Sequence, residues 1–103
     1  MNIFKQLFGG TDSADLKTLI EDGAFLVDVR TAGEFAQGHI KGSVNIPLDK
    51  LALQLAQFKN RKNIIVFCRS GNRSSQAKSF LEQNGFTNVV NGGTWDRVNR
   101  FVK

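Results

Sequence analysis

Apolar residues along the chain gather in four short β-rich runs: "FLVDV" (25–29), "SVNI" (43–46), "NIIVF" (63–67) and "NVVN" (88–91). Between them the apolar positions recur at three and four residues, as on one face of a helix. Leu16, Leu19 and Ile20 share such a face, as do Leu48, Leu51, Ala52 and Leu55, and Ala77, Phe80 and Leu81. Gly23 and Gly85 fall where helices are capped. Thr31 followed by Glu34 matches a capping box, so a helix is predicted to start right after Arg30. Strands alternating with helices predict an α/β fold, a central parallel sheet with helices on both faces. The runs 25–29 and 63–67 are apolar nearly throughout, as strands covered on both sides are.

The opening "MNIFKQLFGG" fits this pattern least. Ile3, Phe4, Leu7 and Phe8 follow helical spacing, and an edge strand is the alternative, so the sheet is expected to have four or five strands. Residues 1–11 are therefore read as an N-terminal segment and 12–103 as one domain, which suits a chain of 103 residues. No apolar stretch approaches the roughly 20 residues of a membrane span, and the N-terminus makes a poor signal peptide. A cytoplasmic protein without a membrane partner is expected. One cysteine excludes an intramolecular disulfide, and with one histidine it argues against a metal site. The formal charge is +5, but the basic residues are scattered. The densest group, Lys59, Arg61 and Lys62, has no interleaved aromatics, so the charge reads as solubility and attraction for small anions rather than nucleic-acid binding.

The one cysteine, Cys68, sits where the apolar run 63–67 stops. In open α/β sheets ligands bind beyond the carboxyl ends of the strands. Cys68 lies at one such end, Asp28 and Arg30 at another, and Gly92 and Gly93 at a third. The segment 69–73 must turn from strand to helix within a few residues, which Gly71 permits and Asn72 tolerates. Such a turn aims successive N–H groups inward as an anion-binding nest, and a helix beginning near Arg73–Ser75 adds its positive end. A thiol there loses its proton readily, giving a nucleophilic thiolate between Arg69 and Arg73. His39, in the loop before the second strand, reads as a residue tying that loop down rather than as a base.

"LVDVRTAGEFAQGHIKGSVNIP", "IIVFCRSGNRSSQAKSFL" and "NGGTWDRV", in this order and spacing, resemble the signatures of the single-domain rhodaneses, thiosulfate sulfurtransferases, over roughly residues 12–103. The resemblance implies a rhodanese-like α/β domain without a cofactor, in which Cys68 accepts a sulfane sulfur and holds it as a persulfide. It makes residues 69–73 the loop whose N–H groups cradle that sulfur. Arg69, Ser70, Gly71, Asn72, Arg73 and Ser74 then form the substrate-binding set. Asp28 matches the family's acidic residue after the first core strand. Arg30 and Glu34 match its arginine and glutamate and read as structural, a salt bridge on the rim that holds the loop.

The leading expectation is transfer of sulfane sulfur from thiosulfate, or another small-molecule donor, to cyanide or a thiol, a protein thiol included. A second reading is a persulfide carrier serving a protein partner, favoured if Phe35, Trp95, Phe4 or Phe8 faces solvent around the rim. A third is a cysteine-dependent phosphatase or arsenate reductase. Those enzymes separate Cys and Arg by five residues. Here four stand between Cys68 and Arg73, a loop suited to one sulfur atom, and none of them is acidic.

Overall fold

A computed structural model describes residues 13–103; the expected helix or edge strand at the N-terminus lies outside them. The described chain runs α1 (Ser13–Glu21), β1 (Phe25–Asp28), α2 (Ala32–Ala36), β2 (Val44–Asn45), two 3₁₀ helices (Leu48–Leu53 and Leu55–Phe58), β3 (Ile64–Cys68), α3 (Asn72–Gln83), β4 (Val89–Thr94) and α4 (Trp95–Asn99). Among these residues the sheet has four strands in the order β2-β1-β3-β4, every neighbouring pair parallel. All four predicted runs become strands.

Period-two alternation divides the core between the two faces of the sheet. Ile64, Val66 and Cys68 join Val27, Leu51, Phe58, Ala77 and Leu81 on the side of α3 and the 3₁₀ helices. Ile65 and Phe67 join Leu16, Leu26, Ile40 and Val98 on the side of α1 and α4. All five residues of β3 are buried, which explains why its sequence shows no polar alternation.

Three expected boundaries shift for physical reasons. The segment 48–55, expected as one α-helical face, forms two 3₁₀ turns, with Leu51 and Phe58 buried and Ala52 exposed. At three residues per turn Leu48 aligns with Leu51 and Leu55 with Phe58, and Gln54, at φ −128, separates the two turns. The last strand runs on to Thr94 through Gly92 and Gly93. Asn91 opposes Val66 and Gly93 opposes Phe67, so Gly92 is the extra residue of a bulge. Only glycine fits there, since a Cβ would lie 2.7 Å from Val98 and 2.9 Å from Ile65. The bulge re-registers the strand so that Thr94 stands opposite Cys68. Finally, α3 begins at Asn72, earlier than the expected start near Arg73–Ser75.

Candidate active site at the end of the third strand

Cys68 is the last residue of β3 and is fully buried. Three residues separate it from α3. Gly71, at φ +94, turns the chain in the left-handed region that favours glycine. That turn brings the Gly71 N–H to 3.0 Å from Cys68 Sγ, donating to the sulfur. Ser74, also fully buried, lies one turn into the helix with its Oγ 3.6 Å from the sulfur. The Ser74 hydroxyl donates to the Gly71 carbonyl at 3.0 Å and so ties helix to loop. Burial pushes the Cys68 thiol up. The Ser74 side chain and the backbone N–H groups of Ser74, Gly71 and Ser70 outweigh it, and the pKa falls below the ordinary thiol value. Alkylation by a small reagent is therefore expected to show a pH midpoint below that of an unstructured cysteine. A midpoint at or above it would remove this electrostatic account.

The rim groups fall into two ion pairs rather than one. Asp28 is fully buried, and its carboxylate accepts from Arg30 Nε at 3.0 Å and Nη2 at 2.7 Å and from the Arg30 backbone N–H at 3.0 Å. Arg30 Nη2 also donates to the Gly38 carbonyl at 2.8 Å, and the guanidinium lies 4.4 Å above the Trp95 ring. This unit clamps the α2–β2 loop to the end of β1. Glu34 does not pair with Arg30. It accepts from Arg73 Nη1 at 2.6 Å and Nη2 at 3.0 Å while completing the capping box with Thr31. The Arg73 guanidinium, expected beside the donor, is thus already engaged by a carboxylate, whereas Arg69 is exposed with no ion-pair partner among the described residues. His39 is exposed, its Nδ1 3.0 Å from the Phe35 carbonyl and its ring stacked on Phe35. These contacts tie down the loop. Trp95 and Phe35 are both half-buried.

Hydrogen bonds from Arg73 first, and then from the Thr31 backbone, hold the Glu34 carboxyl at about 2, against an ordinary 4.5. A carboxyl lowered in the folded state adds stability that is fully present above pH 4.5 and fades as pH falls toward 2. Glu34→Gln keeps a capping side chain but loses this contribution. The stability gap between wild type and variant, measured by urea denaturation, is expected to narrow steadily over that window. A gap that does not change with pH would contradict the assignment.

Two hollows flank the cradle. One, of about 460 Å³, is lined by Arg30, Glu34, Gln37, Gly38, Arg69, Trp95 and Asp96. The other, of about 440 Å³ and mostly apolar, is lined by Val29, Thr31, Pro47, Leu48, Asp49 and Arg73. The sequence pattern had not singled out Asn45, whose Nδ2 donates to the Asp28 and Arg30 carbonyls at 2.9 and 3.0 Å and braces the rim. Nor had it singled out Gln37 and Asp96. Polar residues of exposed helices carry no periodic signal. Among the described residues no group of His, Cys, Asp and Glu could hold a metal ion, and no helix is long and apolar enough to cross a membrane.

The model of the rhodanese-like domain family matches residues 12–94. A sulfurtransferase of Allochromatium vinosum is 34% identical over 82 residues, covering 78% of this chain and 77% of its own length. The thiosulfate sulfurtransferase GlpE of Pseudomonas savastanoi is 39% identical, with 75% of this chain and 74% of that protein covered. Across the first curated relatives the covered share of their length runs from 59% to 77%. Among solved structures, a rhodanese-related protein from Thermoplasma volcanium superposes with a TM-score of 0.73 at 32% identity, over 91% of this chain and 94% of that one.

Proposed function

The chain belongs to the rhodanese-like domain family, and from that premise we propose that Cys68 carries sulfane sulfur from thiosulfate, or a related donor, to a thiophilic acceptor. Sulfur transfer in general follows from the family and from relatives named sulfurtransferases. The donor, the covalent intermediate and the acceptor are our reading of the geometry. The observation that carries it is the Gly71 N–H aimed at Cys68 Sγ at 3.0 Å from a loop only three residues long.

In the first half-reaction the Cys68 thiolate attacks the outer sulfur of thiosulfate. A new S–S bond forms to Sγ, the donor's own S–S bond breaks, and sulfite leaves with that electron pair. The persulfide keeps a negative charge, which the N–H groups of the loop stabilise in a water-poor setting where such hydrogen bonds are strongest. Arg69, unpaired at the loop's outer side, supplies attraction for the dianion, while Arg73 braces the loop through Glu34. In the second half-reaction cyanide or a thiolate takes the outer sulfur and Cys68 returns to its thiolate. The short Cys68–Arg73 loop supports sulfur rather than phosphate as the transferred group, because a tetrahedral oxyanion needs a wider ring of N–H donors.

Incubation with thiosulfate is expected to add one sulfur atom to the protein, visible by intact mass, and cyanide or dithiothreitol to remove it. A mass unchanged by thiosulfate and by other sulfane donors would reject the proposal. The apolar hollow beside Arg73 supports a second reading, a persulfide carrier unloaded by a protein thiol. Efficient turnover with small acceptors decides against it.

A further inference from the structure

We propose that Glu34 determines which donor charge the site prefers: acting through Arg73, it lowers the preference for dianionic over monoanionic sulfane donors. This rests on the sulfur-carrier reading of Cys68. Arg73 is built into the cradle. It follows Gly71, whose N–H donates to Cys68 Sγ, by two residues, and it precedes Ser74, whose Oγ lies 3.6 Å from that sulfur. The hydrogen bond from Glu34 chiefly, and the charges of Glu34, Cys68 and Asp28 after it, push the Arg73 pKa up against its burial. The guanidinium and the sulfur therefore feel each other's charge, and a free cation in this position would draw any anionic donor toward Cys68.

Glu34 removes most of that attraction. Its carboxylate reaches Arg73 from α2 and accepts from Nη1 at 2.6 Å and Nη2 at 3.0 Å, a bidentate pair that holds both groups in place. The two side chains are 31% and 27% exposed, too enclosed for water to screen them from each other, so a donor meets a dipole rather than a cation. The segment 69–74 holds no acidic residue, so the carboxylate that offsets Arg73 comes from outside the loop. The other carboxylates near Arg73 do not serve. Asp28 is taken by Arg30, and Asp49, which lines the apolar hollow with Arg73, is exposed and has no ion-pair partner among the described residues.

The physical consequence concerns binding more than transfer. A free guanidinium would bind thiosulfate and the departing sulfite alike, which lowers KM without speeding the step between them. With Arg73 neutralised, the N–H groups that face the sulfur itself carry more of the selection. Donors with one negative charge, such as alkanethiosulfonates and the persulfides of small thiols, then compete with thiosulfate.

The test compares thiosulfate with methanethiosulfonate, which presents the same outer sulfur with one charge fewer. The Cys68 thiolate bonds to that sulfur, the donor's S–S bond breaks, and methanesulfinate leaves with the electron pair in place of sulfite. Glu34→Gln keeps the side chain's length, its cap to Thr31 and an oxygen for Arg73, and removes only the negative charge. At low salt the ratio of kcat/KM for thiosulfate to that for methanethiosulfonate is expected to rise about fivefold, chiefly through the thiosulfate KM. High salt is expected to erase the gain. Glu34→Gln/Arg73→Met has the net charge of the native pair and is expected to return to the wild-type ratio. Arg73→Met alone leaves an unpaired carboxylate and is expected to fall below it. A purely structural brace would instead slow both donors together, in no order of charge. Alkylation of Cys68 by neutral iodoacetamide gives a second reading. Its pH midpoint is expected to fall in Glu34→Gln, because a cation is released beside the thiolate, whereas a loosened cradle would raise it. A donor ratio in Glu34→Gln within about twofold of wild type at low salt, or a raised midpoint, overturns the role of Glu34 and leaves the sulfur-carrier reading standing. Failure of both donors to load the wild type overturns the sulfur-carrier reading, and the role of Glu34 with it.

Discussion

Cys68→Ser is expected to lose sulfur transfer by about a thousandfold or more, equivalent to roughly 4 kcal/mol of barrier at 1.36 kcal/mol per decade. Thiolate and alkoxide chemistry diverge here. Hydrogen bonds to the thiol lower its pKa below the ordinary value and favour the anion, while a serine hydroxyl in the same place stays protonated and cannot hold a sulfane sulfur as a stable adduct. The chain has no second cysteine to take over. The substitution changes little else. Serine is close in size, and its oxygen still offers the Gly71 N–H an acceptor, at a longer reach than the 3.0 Å of the native contact. Circular dichroism and thermal melting are therefore expected to stay near wild type, which separates lost chemistry from lost fold. Two measurements decide it: steady-state turnover with thiosulfate, and intact mass after exposure to the donor. Turnover at the wild-type level would move the chemistry away from Cys68 altogether.

Arg30→Met is expected to destabilise the domain by about 3–5 kcal/mol, the usual cost of leaving a buried charge without its partner. The Asp28 carboxylate is fully buried, and the guanidinium supplies every hydrogen bond it accepts except that from the Arg30 backbone N–H. The same substitution releases the Gly38 carbonyl and removes the cation above Trp95. A domain of this size has about 5–15 kcal/mol to lose, so the variant should approach the edge of folding at physiological temperature. The double variant Asp28→Leu/Arg30→Met removes both charges together and is expected to recover much of the loss, because two desolvation costs vanish with the attraction. Chemical denaturation of the wild type, the single variants and the double variant gives the coupling between them. A loss below about 1 kcal/mol for Arg30→Met would mean that water reaches Asp28 and that the pair is a surface salt bridge.

How much of this was legible beforehand depends on the range of the interaction concerned. The four strands were legible, because an apolar run needs only its own composition and the turn residues beside it. The capping box of α2 was legible too, being contained in Thr31–Glu34. Position alone singled out Cys68, since a thiol at the carboxyl end of a buried strand, followed by Gly71 and a helix, has few other uses. Local pattern misled where two geometries share a spacing. Leucines at 48, 51 and 55 suit either kind of helix, and packing against Phe58 and the end of Gln54 chose 3₁₀ turns.

The partners of the charges needed the fold. Arg30 and Glu34 stand four residues apart, an ordinary helix-surface pairing, yet Arg30 turns to Asp28 on its own strand end and Glu34 reaches across 39 residues of chain to Arg73. Side-chain direction decides this. Asp28 points to the α4 face, where Trp95 and Gly38 enclose Arg30, while Arg73 leaves the first turn of α3 on the other side of the cradle. The bulge at Gly92 sets Thr94 against Cys68 and carries Trp95 and Asp96 to the rim, and no feature of "NGGTWD" by itself specifies that register. The amino-acid sequence by itself thus determined the strands, the place of the cysteine at a strand end and the turn that follows it, because each depends on neighbours a few residues away. Only the tertiary structure decided which arginine is bound, which is free, and what shares a hollow with it, because those depend on which side of a twisted sheet each strand end presents.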